Sequence, residues 1–475
     1  MRVLTAILAA ALVASFLPGI PADAAPTWLA QTTISTGSSS RAQAPDVVVD
    51  RFGNVTAAWG GPADGVDGVF ASRRLSGGAW SAPVRVSDPT RAASAPSLAV
   101  GADGTVTAAW VAATAGGQSA VESAVQPLGG TWSQPVPVGA SEVSLPAVAV
   151  DDAGTASIAW AEALGNGVIR FSQRPPGGSW SAPVSLSDVS GNAQQPALVV
   201  DPVSGATVAA WQRDNGTHYV IQARWRSPGG DWSSVVDLSA GGQHGVNVHL
   251  ATAGGTALAA WTRSDGSAQR IQASVLPPGG TWTSTVNVSE GGLGLYSYSP
   301  DVAIEPNGRR VVTWYRYDGS AYVVQAATQL PGGDWSAGVP LSNNARNATQ
   351  PSLAADPTGG TRAAWIWDTG SGYQVQTSHL DASGAWTNPV ALGDGAHQFT
   401  TPRIGVDPFG DTVVVWSAGA STPDTAEARG LDVAGPRVSA FAVPTSATTD
   451  KVVSFSASAA DAWSRMLDFF ATNLA

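Results

Sequence analysis

Tyr315, Arg316, Tyr317 and Asp318 stand in a row, and Trp367 with Asp368 follow further along the chain. Aromatic faces stack on sugar rings, and Arg and Asp hydrogen-bond hydroxyls or carboxylates, so this set points to a carbohydrate or peptide platform. The same residues also read as aromatic packing at a strand end followed by a solvated Asp-Gly turn. Arg213, Asp214, Tyr219 and Arg263 extend the candidate set. Arg213, Arg263 and Arg316 each follow a tryptophan by two residues, a shared register that would aim the three guanidiniums alike, toward an anion.

Other chemistries find less support. Asp50 to Gly53 and Asp407 to Gly410 have the Asp-x-x-Gly spacing of a turn whose oxygens suit calcium, and Asp64 with Asp67 in "GGPADGVDG" is a second calcium candidate. Such turns more commonly begin a β-turn with the Asp side chain as acceptor. His218, His244, His249, His379 and His397 lack transition-metal spacing and read as ordinary surface or strand residues. No metal or cofactor is expected. A net charge of -11 disfavours nucleic acid or an anionic membrane as partner, since either wants a basic face. With no cysteine, packing must supply the stability that disulfides give many exported chains.

The elements that would position these residues repeat. Trp59, Trp110, Trp160, Trp211, Trp261, Trp314, Trp365 and Trp416 are spaced by 51, 50, 51, 50, 53, 51 and 51 residues. A second series, Trp80, Trp132, Trp180, Trp232, Trp282, Trp335 and Trp386, opens a recurrent phrase such as "PPGGSWSAPVSLS" at 175 to 187. Each unit holds four strand signals, shown in the second by "PSLAV" (96 to 100), "TVTAAW" (105 to 110), "SAVESAV" (119 to 125) and "TWSQPVPV" (131 to 138). In "TVTAAW", Val106, Ala108 and Trp110 share one face and Thr107 and Ala109 the other, so sheets can stack large against small.

Four short antiparallel strands per repeat predict an all-β fold of β-propeller blades, eight in number with seven as the alternative count. Pro83, Pro135, Pro183 and Pro389 follow the phrase tryptophan by three residues, which suits an edge strand. Gly177 and Gly178 should supply left-handed backbone to the phrase's turn, and Trp180 should pack between neighbouring blades. The eighth phrase is absent from the end of the repeats, yet "TWLAQTTIS" at 27 to 35 aligns with "AWSAPVRVS" from 79. An N-terminal outer strand closing the last blade is therefore predicted. The links between strands two and three, and between blades, vary most and fall on one face, where Arg213 to Tyr219, Tyr315 to Asp318 and Trp367 to Asp368 lie; binding concentrates on such loops.

The tight glycine turn before a tryptophan, between strands three and four, resembles the Asp-box (BNR) repeat of sialidase-like propellers over about residues 27 to 435. Pro175 and Pro176 stand where the box has its Ser and Asp. The resemblance implies the fold. A sialidase-type activity would require an arginine cluster, a Tyr activated by Glu, and an acid. Only Glu122, Glu142, Glu162, Glu290, Glu305 and Glu427 are available, and the family's N-terminal Arg-Ile-Pro element is absent. The stretch from Arg437 to Ser464 resembles the opening of a PKD, immunoglobulin-like domain, but such a sandwich needs roughly 80 to 100 residues, against about 40 from residue 436 onward.

At the N-terminus, Arg2, the apolar run Val3 to Leu17 and Ala22-Asp23-Ala24 read as a secretory signal peptide. The expected organisation is a signal peptide at 1–24, a propeller at 25–435 and an incomplete PKD-like segment at 436–475. The expected function is a secreted, monomeric, non-enzymatic scaffold that binds glycan or extracellular protein through its variable loop face. A divergent sialidase-like exo-glycosidase and a structural module of a larger cell-surface protein are the alternatives.

Overall fold

The computed structural model describes residues 26–35 and 42–433, apart from 141–142, 164–166, 190, 265, 291–295, 394, 396–397, 400–401 and 420–424. The expected signal peptide, the segment 436–475, Glu142 and His397 lie outside the described residues. Every regular element among the described residues is a β-strand. None is a helix long and apolar enough to cross a membrane.

Sheet one is built from Gln43–Val49, Val55–Ala63, Val66–Arg74 and Val84–Arg85, each antiparallel to the next. The same order recurs over 93–140, 143–185, 193–237, 244–287, 296–340 and 348–391. Sheets five and six share one parallel bridge, Gln269 to Tyr296, and are otherwise separate four-stranded units. Sheet eight uses Gln398–Phe399 with Arg403–Val406, then Thr412–Gly419 and Thr425–Asp432, and takes its outer strand from Thr27–Trp28 and Thr32–Thr33. In sheet two the fourth strand begins only at Val136, later than its sequence signal.

Large-against-small stacking follows from the second strand. Trp110 packs with Ala58, Val69, Ala71 and Val86 of sheet one, while Ala109, on the opposite face, joins the cluster holding Trp160 of sheet three. The pattern continues around the chain, and Trp59 of sheet one packs with Val413, Val415, Ala426 and Ala428 of sheet eight. All eight second-strand tryptophans are at most 1% exposed. Burying each is worth about 4 to 6 kcal/mol on transfer bookkeeping, an upper bound. The phrase tryptophan has the lesser role: Trp180 is half-buried at the rim of the interface, where its Nε1 donates to Ser123 Oγ at 3.1 Å.

The phrase earns its repetition through its serines. The fourth strand of sheet three is only Val184–Ser185 long, so the third strand has few ladder partners. Ser187 Oγ accepts the Ile169 N–H at 2.9 Å, and Ser181 Oγ accepts that of Gln173 at 3.1 Å. Ser87, Ser239, Ser289 and Ser342 repeat the first bond on Val69, Ile221, Ile271 and Val324. Hydroxyls thus satisfy backbone groups that a proline-bearing edge leaves unpaired. Of the two glycines only Gly177 is left-handed, with φ 65°. Gly178 is required by crowding instead, since a Cβ there would meet Pro175 Cγ at 2.7 Å.

The N-terminal segment fills the same place in sheet eight. Leu29 N donates to Gly430 O at 2.7 Å and Ile34 N to Ala426 O at 2.8 Å, as Ser181 N does to Gln173 O and Leu186 N to Ile169 O. Ser35 Oγ accepts the Ala426 N–H at 2.9 Å, the bond of the phrase's last serine.

At the opposite end, the Asp-x-x-Gly turns are Asp-initiated β-turns. Asp50 Oδ1 accepts Phe52 N and Asn54 N, and Asp407 Oδ1 accepts Phe409 N and Asp411 N. Their outer oxygens reach the next sheet: Asp201 Oδ2 accepts Gly255 N at 2.8 Å, and a Cβ on Gly53 would lie 3.0 Å from Asp407 Oδ2. Asp64 and Gly65, with φ 52° and 79°, form the two-residue hairpin turn between Ala63 and Val66. Among the described residues no group of three or more His, Cys, Asp or Glu is placed to hold a metal. First strands of sheets two to seven meet around an aliphatic space of about 390 Å³ lined by Val100, Val150, Val200, Thr252, Ile304 and Ala355, among others.

Candidate functional site

Seven first strands carry a register shift near their start, and a non-glycine residue there has positive φ, from Ala44 in sheet one to Gln350 in sheet seven. In six of the seven that residue precedes a proline, and Asn247 before Val248 is the exception. A bulge of this kind bends the strand and re-aims the next side chain. The residue that follows is Asp46, Ser97, Ala147, Ala197, His249, Asp301 or Ser352, with Arg403 at the equivalent place in sheet eight. These positions stand at the loop-face end of the first strands.

Sheet six carries the densest aromatic group. Five of the seven tyrosines fall on its first three strands. The register sets Tyr296 opposite Tyr317, Tyr298 opposite Tyr315, and Tyr317 opposite Tyr322. Tyr298 and Tyr315 stack with ring centres 5.4 Å apart, and Tyr322 meets Tyr315 edge-on at 5.4 Å. All five rings are partly exposed. Burial raises the Tyr315 phenol above its usual value, with Tyr322 adding to the rise and a bond to Ser299 opposing it. Burial likewise raises Tyr298, helped by Tyr322, Tyr315 and Tyr296. Trp367 of sheet seven packs in the same interface cluster as Tyr315, so the structure brings those two expected residues together.

The acids of the expected set are turn caps. Asp214 Oδ1 accepts Gly216 N, Asp318 Oδ1 accepts Ser320 N, and Asp368 Oδ1 accepts Gly370 N, at 2.7 to 2.8 Å. The two turn N–H groups and the Ser320 hydroxyl hold the Asp318 carboxyl down to about 2. Tyr219 sits apart on sheet four, its N–H donating to His244 Nδ1 at 3.1 Å.

The arginines do not converge on the centre. Arg316 Nη1 donates to Glu290 Oε2 at 3.4 Å, Arg263 Nε bonds Gln243 Oε1, and Arg213 lies against Gly191. Each is held by the link that precedes its own sheet.

Sequence reasoning missed the charged residues at the bulge. Asp46 Oδ2 accepts Leu98 N of the next sheet at 2.7 Å, and Asp301 Oδ2 accepts Leu353 N at 2.8 Å, the same bond five sheets on. His249, read from sequence as an ordinary residue, places Nδ1 3.0 Å from Asp301 Oδ1. Burial raises the Asp46 carboxyl despite the pull of Arg403. Burial would raise Asp301 too, but the His249 hydrogen bond and charge, the Leu353 N–H and Arg403 leave it lowered. Aligning the first strands on the proline that seven of the eight share would have revealed this position, because it varies among Asp, Ser, Ala, His and Arg just ahead of a largely aliphatic run.

No family model matches the chain, and no curated protein does either. Solved structures do. A lectin from Burkholderia pseudomallei is similar over 75% of this chain and 99% of its own, at 14% identity and a TM-score of 0.51. An ulvan lyase, described as a new family of polysaccharide lyase, is similar over 83% of this chain and 95% of its own, at 10% identity and a TM-score of 0.50. The β-propeller domain of the Trilobed protease from Pyrococcus furiosus covers 74% of this chain and 98% of its own, at 8% identity and a TM-score of 0.45. At these identities the likeness concerns the fold alone.

Proposed function

We propose that the chain is an exported, closed, eight-bladed β-propeller that binds glycan at its loop face, with the tyrosine platform of sheet six as the principal contact. The observation that carries this reading is the cluster of Tyr298, Tyr315 and Tyr322, half-exposed rings held in fixed stacked and edge-on contacts. Rigid amphipathic rings present C–H-binding faces beside hydroxyl donors at little entropic cost. A non-enzymatic role fits the same group. Tyr315 is coupled to Ser299 and Tyr322, and its phenol is pushed up, the reverse of what an activated nucleophile requires. The resemblance of fold to a lectin and to an ulvan lyase is compatible with a glycan ligand.

Glycan-array binding followed by titration calorimetry tests this reading. Tyr315→Ala and Tyr298→Ala should each weaken binding about tenfold or more, equal to roughly 1.4 kcal/mol. Asp318→Ala, which removes a turn cap, should leave affinity within about twofold of wild type, a difference of about 0.4 kcal/mol. A wild-type protein that binds no glycan, or tyrosine variants that bind as well as wild type, would overturn it.

A further inference from the structure

The bulge position presents one side chain from each sheet at the loop-face end of the first strands, and most of the charged ones there are already engaged. Asp46 gives Oδ1 to its own Val47 N at 2.9 Å and Oδ2 to Leu98 N at 2.7 Å. Asp301 gives its oxygens to Val302 N, Leu353 N and His249. Arg403 differs. It is half-buried, makes no hydrogen bond or ion pair to any described residue, and lines a cavity of about 570 Å³ with Gln43, Pro45, Asp46, Pro96 and Ser97. Its charge is felt by both Asp46 and Asp301, so it stands within the field of two carboxylates without being gripped by either.

A half-buried guanidinium whose donors meet no acceptor among the described residues is poorly satisfied unless solvent or a ligand completes it. Its planar fork matches the paired oxygens of a carboxylate or sulfate. The surrounding Pro45, Pro96 and Pro146 offer apolar C–H surface, and Gln43 and Ser97 offer hydrogen bonds, a mixture suited to a sugar ring bearing one anionic group. Sheet six lends no residue to the cavity lining, but the charge of Arg403 reaches Asp301 of that sheet, two residues after the Ser299 that bonds Tyr315. The flanking carboxylates repel any anion not seated directly in the fork, which favours a single well-placed oxyanion over a diffuse polyanion.

We propose that this cavity is the acidic subsite of the glycan site: Arg403 binds the carboxylate or sulfate of an acidic glycan whose neighbouring rings lie on the tyrosine platform. The proposal rests on the glycan reading given above and adds the class of ligand.

A glycan array sorted into uronate-, sialate- or sulfate-bearing members and neutral members, read with the full chain, tests it. The bound set should be acidic and its binding should weaken as salt rises. Arg403→Gln should lower affinity for the acidic hits about tenfold or more at unchanged Tm, and Arg403→Lys should fall between, because it keeps the charge and loses the fork. A neutral bound set, or acidic hits indifferent to Arg403→Gln, would overturn the subsite while leaving the glycan reading standing. Absence of binding to both sets would remove both.

Discussion

Tyr298 and Tyr315 hold their protons more firmly than free phenols because each is partly desolvated among other tyrosines, which disfavours the phenolate. A phenol raised on folding contributes stability that is complete below the ordinary value of 10.0 and is lost as pH climbs through the raised one. A spectroscopic titration should therefore show at least two tyrosines ionising above 10.0, with loss of structure accompanying them. Free-phenol behaviour of all seven would contradict the packing of the platform. Asp318 moves in the opposite sense: its cap is in force above 3.8 and fails as pH falls through about 2. Tyr315 and Tyr317 were legible in the sequence as adjacent candidates. Tyr296, Tyr298 and Tyr322 were not, because their membership depends on cross-strand register, which the bulge between Tyr298 and Asp301 sets.

At the scale of the element, the recurrent phrase is a way to end a sheet whose last strand is barely a strand. Its two hydroxyl positions are unequal. Ser187 is buried and caps a buried N–H, whereas Ser181 caps an exposed one. Ser187→Ala should cost about 1 to 3 kcal/mol, the penalty for orphaning a buried donor, and Ser181→Ala well under half as much. Urea unfolding of the two variants checks the ordering, and equal costs would count against the hydroxyl as ladder substitute. The four-strand order and the tryptophan period were legible because they recur. The exchange of roles between the two tryptophan series was not, since both occupy aromatic positions of equal spacing. Only packing shows that Trp160 is enclosed on both sides while Trp180 sits at a rim.

Over the whole molecule, the same parts recur: a tryptophan on the small face of the preceding sheet, a turn carboxylate lying against the next turn and, within most sheets, a serine on the third strand. Within sheet eight Ser35 takes the serine's place, and the junction of sheet eight with sheet one has the other two, in Trp59 and in Asp407, whose Oδ2 lies against Gly53. It is the junction that joins the two ends of the described chain, and it underlies the proposed ring and therefore the mouth at which Arg403 stands. Its outer strand was legible from the alignment of "TWLAQTTIS" with the phrase, since the N-terminal segment has the phrase's aromatic and final serine. The mouth itself was not, because it is assembled from residues separated by most of the chain length.

The natural absence of cysteine allows that junction to be tested without interference. Thr33 and Glu427 face one another across the outer pair of sheet eight, with Thr33 Oγ1 2.8 Å from Glu427 Oε1. Directly opposed residues on neighbouring strands suit the short Cβ separation of a disulfide. Oxidation of the Thr33→Cys, Glu427→Cys double variant is the most direct measurement of the ring: a closed ring predicts near-complete disulfide formation within the monomer and a higher Tm that reverts on reduction. Two thiols that stay free and reactive under the same oxidation, with Tm unchanged, would contradict the closure and the site built on it.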